Sequence, residues 1–373
     1  MRDQTFFSLA LTLVPGLGKQ RLRQVVEKCG LPEAVFQLSR AELKRLPLSP
    51  QARAALLSGR ALREAEDTLR ANEREGIRIL SRFETGYPEL LRQIHDPPLI
   101  LYCLGDVQLF ETPALALVGA RRCSVYGREM TRRLAHQLAS MGLLVVSGLA
   151  RGIDSNAHLG ALQAGGLTAA VLGNGVDVVY PRETRRLYDR IRDKGCLLSE
   201  FPHGCFPAPQ NFPVRNRIIS GLCYGTIISE AAEFSGSLIT ARLTLEQNRE
   251  LWAIPGNITS EGSYGPNYLI KQGAKVVLSV QDVIDELPLS VLDWLARNEK
   301  PEEKRPKARE SAPLTGPQEQ ILKLLTADAT LGFDWLLEVS GLGLAQLNET
   351  LLALEMKGLV HQEPGRRFCR KLV

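Results

Sequence analysis

Arginine side chains recur in three separate loops in the middle of this chain, and each loop follows a short apolar run or opens a helix. The positions are Arg121 and Arg122, then Arg182, Arg185 and Arg186, then Arg215 and Arg217. A guanidinium group binds phosphate oxygens through paired, charge-assisted hydrogen bonds. A single arginine of this kind usually lies on a solvated helix face, but three loops that converge would form a site for a polyanion.

Phe212 stands beside the last of these arginines, in the run NFPVRNR at 211–217. An aromatic ring next to arginines suits a single-stranded nucleic acid, because the cations follow the backbone while the bases stack on the ring. The alternative is that Phe212 fills the space beneath its own proline-rich loop, 202–213. Both interpretations stay open from these residues alone.

Small and polar residues follow several apolar runs or open a helix, and they complete this candidate site. They are Gly119, Ala120, Gly148, Asn216, Ser235, Gly236 and Ser237. Ligands of doubly wound sheets bind outside the carboxyl ends of the strands. Glycines there let the backbone approach a ligand, and exposed N–H groups and helix N-termini attract phosphate. We therefore predict a phosphate-binding edge.

The motifs of common cofactor sites are absent. The segment after the first strand reads GARRCSVYG, which lacks the GxGxxG fingerprint, and no GxxxxGK[ST] loop occurs. The seven cysteines include no CxxC pair, which argues against a disulfide framework or structural zinc and favours a reducing cytoplasm. No apolar run reaches the ~18 residues of a membrane span. We expect no cofactor, no metal and no membrane partner.

Candidate catalytic groups are few. Asp154 and His158 are four residues apart on one predicted helix, without an accompanying nucleophile or metal ligand. Glu200, Glu230 and Glu233 lie near strand ends without the spacing of an acid/base pair. No HExxH or GxSxG motif occurs. The sequence therefore predicts a site that binds a ligand without catalysing a reaction, and a protein that is not an enzyme.

Short apolar runs separated by amphipathic segments would position these residues. The runs are 114–118, 143–146, 168–172, 226–228, 251–254 and 275–278. They are rich in β-branched residues and do not alternate, which is typical of buried parallel strands. Helical patterns at 127–141 and 154–164 lie between them. Strands alternating with helices predict an α/β fold with right-handed crossovers and a doubly wound sheet.

Composition divides the chain into four segments. Residues 1–80 read as a helical module, whose turn VPGLGK at 14–19 resembles the hairpin of helix-hairpin-helix or SAM-like modules, or is a tight interhelical turn. Residues 81–298 form the sheet domain. The segment 299–313 is a charged, proline-rich linker. Residues 314–373 predict three helices and a β-hairpin, a winged helix that contacts either protein or DNA.

The excess positive charge belongs to only one of these segments. Residues 1–80 contain 14 Lys+Arg and 9 Asp+Glu, which accounts for the whole formal charge of +5. Residues 81–298 contain 21 of each kind, and residues 299–373 contain 11 of each. An anion site in the sheet domain must therefore come from local placement of arginines.

These motifs together resemble the bacterial DNA-processing protein A family (DprA, also called Smf). The matching runs are VGAR at 118–121, SGLARGID at 147–154, VLGNGVDVVYP at 171–181, LSEFP at 198–202, FPVRNRIISGL at 212–222, EAAEFSGSLIT at 230–240 and PGN at 255–257. They occur in the order that the family has. The helical N-terminal module and the winged helix also match the family's layout.

The resemblance implies an extended Rossmann-like domain that binds single-stranded DNA and forms a homodimer. It also implies that the protein protects incoming single strands and loads the RecA recombinase onto them during natural transformation. Carried over by position, Arg121 and Arg217 would hold phosphates, with Arg215 in support. Arg182 falls where the family often has a lysine for the same task, and Phe212 would be the stacking aromatic.

One departure from the family pattern concerns the first loop. Ala120 stands where a serine is common, which removes one hydroxyl donor and leaves the backbone N–H groups. Two other functions also stay open. The sheet resembles that of cytokinin-activating phosphoribohydrolases, but 230–237 reads EAAEFSGS and lacks their PGGxGT loop. An adaptor, whose terminal domains recruit partners while the sheet only dimerises, is the third candidate.

Overall fold

The computed structural model describes residues 3–298, 314–326, 330–363 and 365–371. The predicted linker, 299–313, lies outside the described residues. Within the described ranges, no helix is both long and apolar enough to cross a membrane.

The first part of the chain is a helical module. Its helices are α1 (Gln4–Thr12), α2 (Lys19–Cys29), α3 (Pro32–Gln37), α4 (Arg40–Leu43), α5 (Pro50–Leu57) and α6 (Arg60–Arg74). The predicted hairpin separates α1 from α2, and Gly16 adopts a φ of +76° there, which favours glycine. Val14 and Leu17 of the same turn are buried with Val25 of α2 in the module's own core.

The centre of the molecule is a nine-stranded sheet. Its strands are β1 (Ile77–Ser81), β2 (Ile100–Gly105), β3 (Ala114–Val118), β4 (Leu144–Ser147), β5 (Thr168–Leu172), β6 (Cys196–Ser199), β7 (Gly225–Ile228), β8 (Glu250–Ala253) and β9 (Lys275–Val276). The spatial order is β1-β2-β6-β5-β4-β3-β7-β8-β9. All neighbours from β6 to β9 are parallel, which confirms the predicted doubly wound α/β fold.

Helices cover both faces of this sheet. They are α7 (Glu89–Arg92), α8 (Val125–Ser140), α9 (Ile153–Gln163), α10 (Arg185–Lys194), α11 (Asn211–Gly221), α12 (Gly236–Glu246), α13 (Tyr264–Lys271), α14 (Gln281–Ile284) and α15 (Leu289–Arg297). Along β3, Ala116 and Val118 join one buried cluster while Leu115 and Leu117 join the other. Successive side chains of a strand point to opposite faces, so a continuous apolar run is needed when both faces are covered.

Three strands were not predicted from the sequence. β6 is a further parallel strand, whereas β1 and β2 pair antiparallel at one side of the sheet. The expected boundary after residue 80 falls inside β1, so the sheet begins earlier than predicted. The reason lies in the helical module, because Phe6 and Leu9 of α1 pack in one cluster with Ile79 of β1 and Tyr102 of β2.

The C-terminal part is a winged helix, as predicted. Its elements are α16 (Gly316–Leu324), β10 (Leu331–Gly332), α17 (Phe333–Ser340), α18 (Leu344–Met356), β11 (Val360–Glu363) and β12 (Arg367–Arg370). The strands form a small antiparallel sheet in the order β10-β12-β11. Ile321, Leu336, Leu351 and Phe368 share its buried core.

Candidate nucleic-acid interface

A cavity of about 1140 Å³ opens at the carboxyl ends of the central parallel strands. We call it the strand-end cavity. It is lined by the predicted residues Gly119, Ala120, Arg121, Phe212, Arg215, Asn216, Ser235, Gly236 and Ser237. An adjoining cavity of about 480 Å³ shares Arg121, Phe212 and Arg215 and adds Gly148 and Arg182. The structure therefore brings the predicted site residues together except Arg217, and Arg185 and Arg186 of the second arginine loop also lie outside both cavities.

Three arginines at these cavities are free of carboxylate partners. Arg121, Arg122 and Arg182 are exposed, and none forms an ion pair within 4.0 Å in the described part of the chain. By contrast, Arg185 on the neighbouring helix pairs with Asp189 at 3.1 Å. Uncompensated guanidinium groups around a concave surface create a positive potential that attracts a polyanion, although the domain as a whole is neutral.

Phe212 is held in the first turn of α11 by defined contacts. A Cβ atom added to Gly173 would lie 2.9 Å from the Phe212 ring, so the glycine is what allows the ring to rest there. The Tyr180 ring lies beside it at 5.7 Å between centroids. The Arg121 guanidinium lies 5.4 Å from the centroid of Phe212. The ring is half-buried and lines both cavities, so it can pack against a base.

Arg215 is buried beneath this ring, 6.0 Å from the centroid of Phe212. Its Nη1 donates to the carbonyl of Gly148 at 2.7 Å and also to that of Val171. Burial lowers the pKa of Arg215 to about 10, with Asp154 opposing the shift, so the group remains charged near neutral pH. Arg215 thus fixes the floor of the cavity and adds positive charge below it.

Gly148 and Asp154 complete this floor. A Cβ atom at Gly148 would lie 2.6 Å from both Arg215 Nη1 and Asp154 Oδ2, so only glycine fits between the two charged groups. Asp154 Oδ2 accepts a hydrogen bond from the Ala150 N–H at 3.3 Å. Burial raises the pKa of Asp154, while the Arg215 charge and this hydrogen bond oppose the rise. The carboxyl group is a structural part of the floor.

The structure corrects the prediction that Arg217 lies in the same pocket. Its Nε donates to Asp96 at 2.7 Å and its Nη2 to Glu200 at 2.9 Å, on the other side of α11. Residues two apart on a helix point about 200° apart, so Arg215 and Arg217 cannot both face one cavity. Burial by itself would lower the pKa of Arg217, but Glu200 and Asp96 more than offset this and raise it.

The backbone of the first loop is also less available than predicted. The Ala120 N–H donates to the Glu230 carbonyl at 2.7 Å. A Cβ atom at Gly119 would lie 2.8 Å from the same carbonyl, so the two loops are in close contact. The expectation that Ala120 offers its N–H to a phosphate is therefore wrong. Side chains, above all Arg121, supply the donors of this loop.

Two of the side chains considered for catalysis, Glu230 and His158, have structural hydrogen-bond partners. Glu230 is buried and accepts hydrogen bonds from the N–H of Ser124 at 2.9 Å and from its hydroxyl at 2.5 Å. The Ser124 hydroxyl in turn accepts from the Gly127 N–H at 3.0 Å, so the pair caps the start of α8. His158 is buried against the Thr168 hydroxyl at 2.7 Å, and burial lowers its pKa to about 3.

Sequence reasoning missed several apolar residues at the rim of the strand-end cavity. Tyr180, Phe234 and Ile258 line it, with Phe234 94% and Ile258 90% exposed. Phe234 stands directly before the predicted Ser235, in a loop of otherwise polar and small residues. Phe234 could have been predicted in the same way as Phe212, because an aromatic residue in a loop of polar and small residues indicates a binding surface.

Comparison with known proteins places the chain among related sequences. A family model described as DNA recombination-mediator protein A matches residues 78–288, and one described as DprA winged helix domain matches residues 305–366. Protein Smf of Escherichia coli (strain K12) is 40% identical over 295 residues, which covers 76% of each chain. Protein Smf of Synechocystis is 35% identical over 328 residues, 81% of this chain and 82% of that protein.

Solved structures agree with this relationship. DNA processing protein A from Streptococcus pneumoniae superposes with a TM-score of 0.66 at 36% identity, covering 77% of this chain and 99% of that chain. DNA processing protein A from Helicobacter pylori, studied for its single-stranded DNA binding mode, has a TM-score of 0.52 at 32% identity, covering 58% and 96%. The chain therefore belongs to the DprA/Smf family of DNA recombination-mediator proteins.

Proposed function

We propose that the chain binds single-stranded DNA in the strand-end cavity. The observation that carries this proposal is a set of three arginines around the half-buried Phe212 ring, Arg121, Arg122 and Arg182, that form no ion pair with any described residue. The Helicobacter pylori relative, which binds single-stranded DNA, supports the same ligand. Double-stranded DNA would not expose its bases to this ring, since stacking requires an unpaired base.

The geometry supports a specific binding mode as part of this proposal. Arg121 and Arg182 contact phosphates, and successive bases stack on Phe212 and Tyr180. Arg215 holds the floor through two main-chain carbonyls and is a positioning residue. Because stacking and phosphate contacts are tolerant of base identity, we expect binding with little sequence preference.

We propose further that the bound strand is protected and passed to a RecA-type recombinase during DNA uptake, and that the chain acts as a homodimer through its Rossmann-like domain. Family membership supports both steps. The edge of the sheet at β9 supports dimerisation, since Val276 is 39% and Leu278 74% exposed there. A second copy of the chain can pack against exposed apolar side chains and pair with the open edge of the sheet beside them.

An enzymatic role of the phosphoribohydrolase kind is the alternative. The geometry supports it less, because Glu230 is committed to the start of α8 and the loop that follows lacks the PGGxGT motif. Incubation of the protein with AMP tests it directly. Release of free adenine well above the rate without protein would favour the enzyme over the binding protein.

Substitution of Arg121 tests the proposed function. We expect Arg121→Gln to weaken binding of an oligothymidylate more than tenfold, and to reduce the salt slope of log K by about 0.7, the value for one phosphate contact on a single strand. Arg186→Gln is the matched control, because Arg186 is exposed and lies outside both cavities. Equal affinities of parent and Arg121→Gln in a fluorescence anisotropy titration would remove this site.

A further inference from the structure

A separate cavity of about 730 Å³ lies at the same edge of the sheet, on its β6-β2-β1 side. We call it the hairpin cavity, because Leu17 and Lys19 of the hairpin between α1 and α2 line it. Since β1 and β6 are each antiparallel to β2, they run parallel to one another and end at the same edge. Helix α11 separates the two cavities, with Arg215 facing one and Arg217 the other.

The base of the hairpin cavity contains a buried arginine with an unused donor. Arg217 is 7% exposed and forms ion pairs with Asp96 and Glu200. Its third nitrogen, Nη1, has no hydrogen-bond partner among the described residues. Lys19 also contacts Glu200, at 2.7 Å. These two cations and two carboxylates balance each other, and one guanidinium nitrogen remains unsatisfied.

Arg82 supplies a positive charge with no carboxylate in direct contact among the described residues, although Glu27 attracts it from a greater distance. Arg82 follows β1, is half-buried at this cavity and forms no ion pair within 4.0 Å in the described part of the chain. Of the other two arginines that line the cavity, Arg23 pairs with Glu27 at 2.7 Å, and Arg217 pairs with Asp96 and Glu200. The hairpin cavity is therefore suited to one anionic group, placed at Arg82, with the buried Arg217 charge behind it.

The remaining walls are apolar and partly aromatic. Leu17, Val26 and Leu99 line one part of the cavity, and Phe201 another. The Lys19 ammonium lies 5.1 Å from the centroid of the Phe201 ring. Asp96 and Glu200 offer carboxylate oxygens to hydrogen-bond donors. An apolar wall, one unmatched cation and a few acceptors match a ligand with a flat, donor-bearing body and a single anion.

We propose that the hairpin cavity binds one nucleotide unit, with its phosphate at Arg82 and its base against the Phe201 wall. The unit comes from one of two sources. It is either a free nucleoside monophosphate or a nucleotide of the strand held in the strand-end cavity, and this second source rests on the function proposed above. The hairpin between α1 and α2 would then contact the nucleotide, because its residues Leu17 and Lys19 line the cavity.

A first experiment uses thymidine 5′-monophosphate as the probe. In the full chain, the substitutions Arg121→Gln and Phe212→Ala together remove the strand-end site. Calorimetric titration of this variant then measures the nucleotide binding that remains. We expect thymidine 5′-monophosphate to bind, thymidine without phosphate to bind more weakly, and added Arg82→Gln to lower the affinity about tenfold, the effect of one charge-assisted hydrogen bond. Arg78→Gln is the matched control, because Arg78 lies on β1, four residues before Arg82, is exposed and lies outside the cavity.

A second experiment tests the strand as the source. In the otherwise unmodified chain, Arg82→Gln is compared with parent on oligothymidylates of about 6 and about 20 nucleotides. A loss confined to the longer oligomer identifies the nucleotide as part of the strand, whereas binding of the monophosphate alone identifies a free ligand. Should Arg82→Gln change neither measurement, the hairpin cavity is not a nucleotide site, even if Arg121→Gln still abolishes binding to DNA.

A third measurement guards against a folding defect. If Arg82→Gln lowers the unfolding temperature, Arg82→Lys keeps the charge and should restore part of the binding. Photochemical cross-linking of 5-iodo-2′-deoxyuridine monophosphate to the Arg121→Gln, Phe212→Ala chain needs no change in the hairpin cavity. It should label the peptide that contains Phe201, and labelling confined to other peptides overturns the proposal.

Discussion

Replacement of Phe212 by alanine removes the proposed stacking surface while leaving every arginine of the site in place. The ring rests against Gly173, with Tyr180 on one side and the Arg121 guanidinium 5.4 Å from its centroid. Because the side chain is only half-buried, its removal leaves a hollow that is open to the cavity and not a closed void. The substitution should therefore change binding more than stability.

The size of the effect follows from stacking energies. Loss of one base–aromatic contact costs about 1–3 kcal/mol. Tyr180 lies 5.7 Å away and remains in the variant, so it retains part of the apolar surface for the base. We expect a loss in the lower half of this range, about 1.5 kcal/mol. This corresponds to a roughly tenfold higher dissociation constant.

Fluorescence anisotropy with a labelled oligothymidylate, repeated at several salt concentrations, measures this loss. The salt slope should equal that of the parent, because stacking neutralises no phosphate. Phe206→Ala is the matched control, since Phe206 is 79% exposed in the same loop region and does not line the cavity. If Phe206→Ala weakens binding as much as Phe212→Ala, or if the salt slope changes with Phe212→Ala, the assignment of the stacking residue is refuted.

Three further predictions concern the floor of the site and the other domains. Arg215→Met should lower the free energy of unfolding by about 3 kcal/mol, measured by urea denaturation, because the carbonyls of Gly148 and Val171 lose their buried donor; an unchanged value would contradict the structural role. The pKa of the buried His158 is about 3, against an ordinary value of 6.5 for an unfolded chain. As the pH falls, the unfolded chain therefore takes up a proton before the folded chain does. The free energy of unfolding should decrease below about pH 6.5, by up to about 1.4 kcal/mol per pH unit. His158→Gln should flatten that dependence relative to the parent, and identical pH profiles would argue against it. Removal of residues 314–373 should leave oligothymidylate affinity within about threefold of the parent, and complete loss would identify the winged helix as the main DNA contact.

Much of the sheet could be predicted because burial on both faces leaves a clear pattern. The continuous apolar run of β3 sends alternate side chains into two cores, and Gly119, directly after the strand, marks the ligand edge. β1 and β2 were not predictable in the same way. Their place in the sheet depends on α1 packing against them, a contact between segments far apart in the chain.

The site shows the same division between local and long-range information. The arginine loops and Phe212 could be predicted because they follow the predicted strands or begin a helix along the chain. The structure brings most of these residues together. The direction of Arg217 depends on the phase of α11, which a shift of one residue in the helix start would change. The partner of the Ala120 N–H is the Glu230 carbonyl, 110 positions later in the chain, and only the folded sheet reveals it.

Photochemical cross-linking tests the central claim most directly, because it reports where the strand lies on the unmodified protein. An oligothymidylate carrying 5-iodouracil is irradiated in complex with the full chain, and the attached peptides are identified by mass spectrometry. We expect attachment at Phe212 or Tyr180, whose rings line the strand-end cavity. Attachment confined to the helical module or to the winged helix would contradict the central claim.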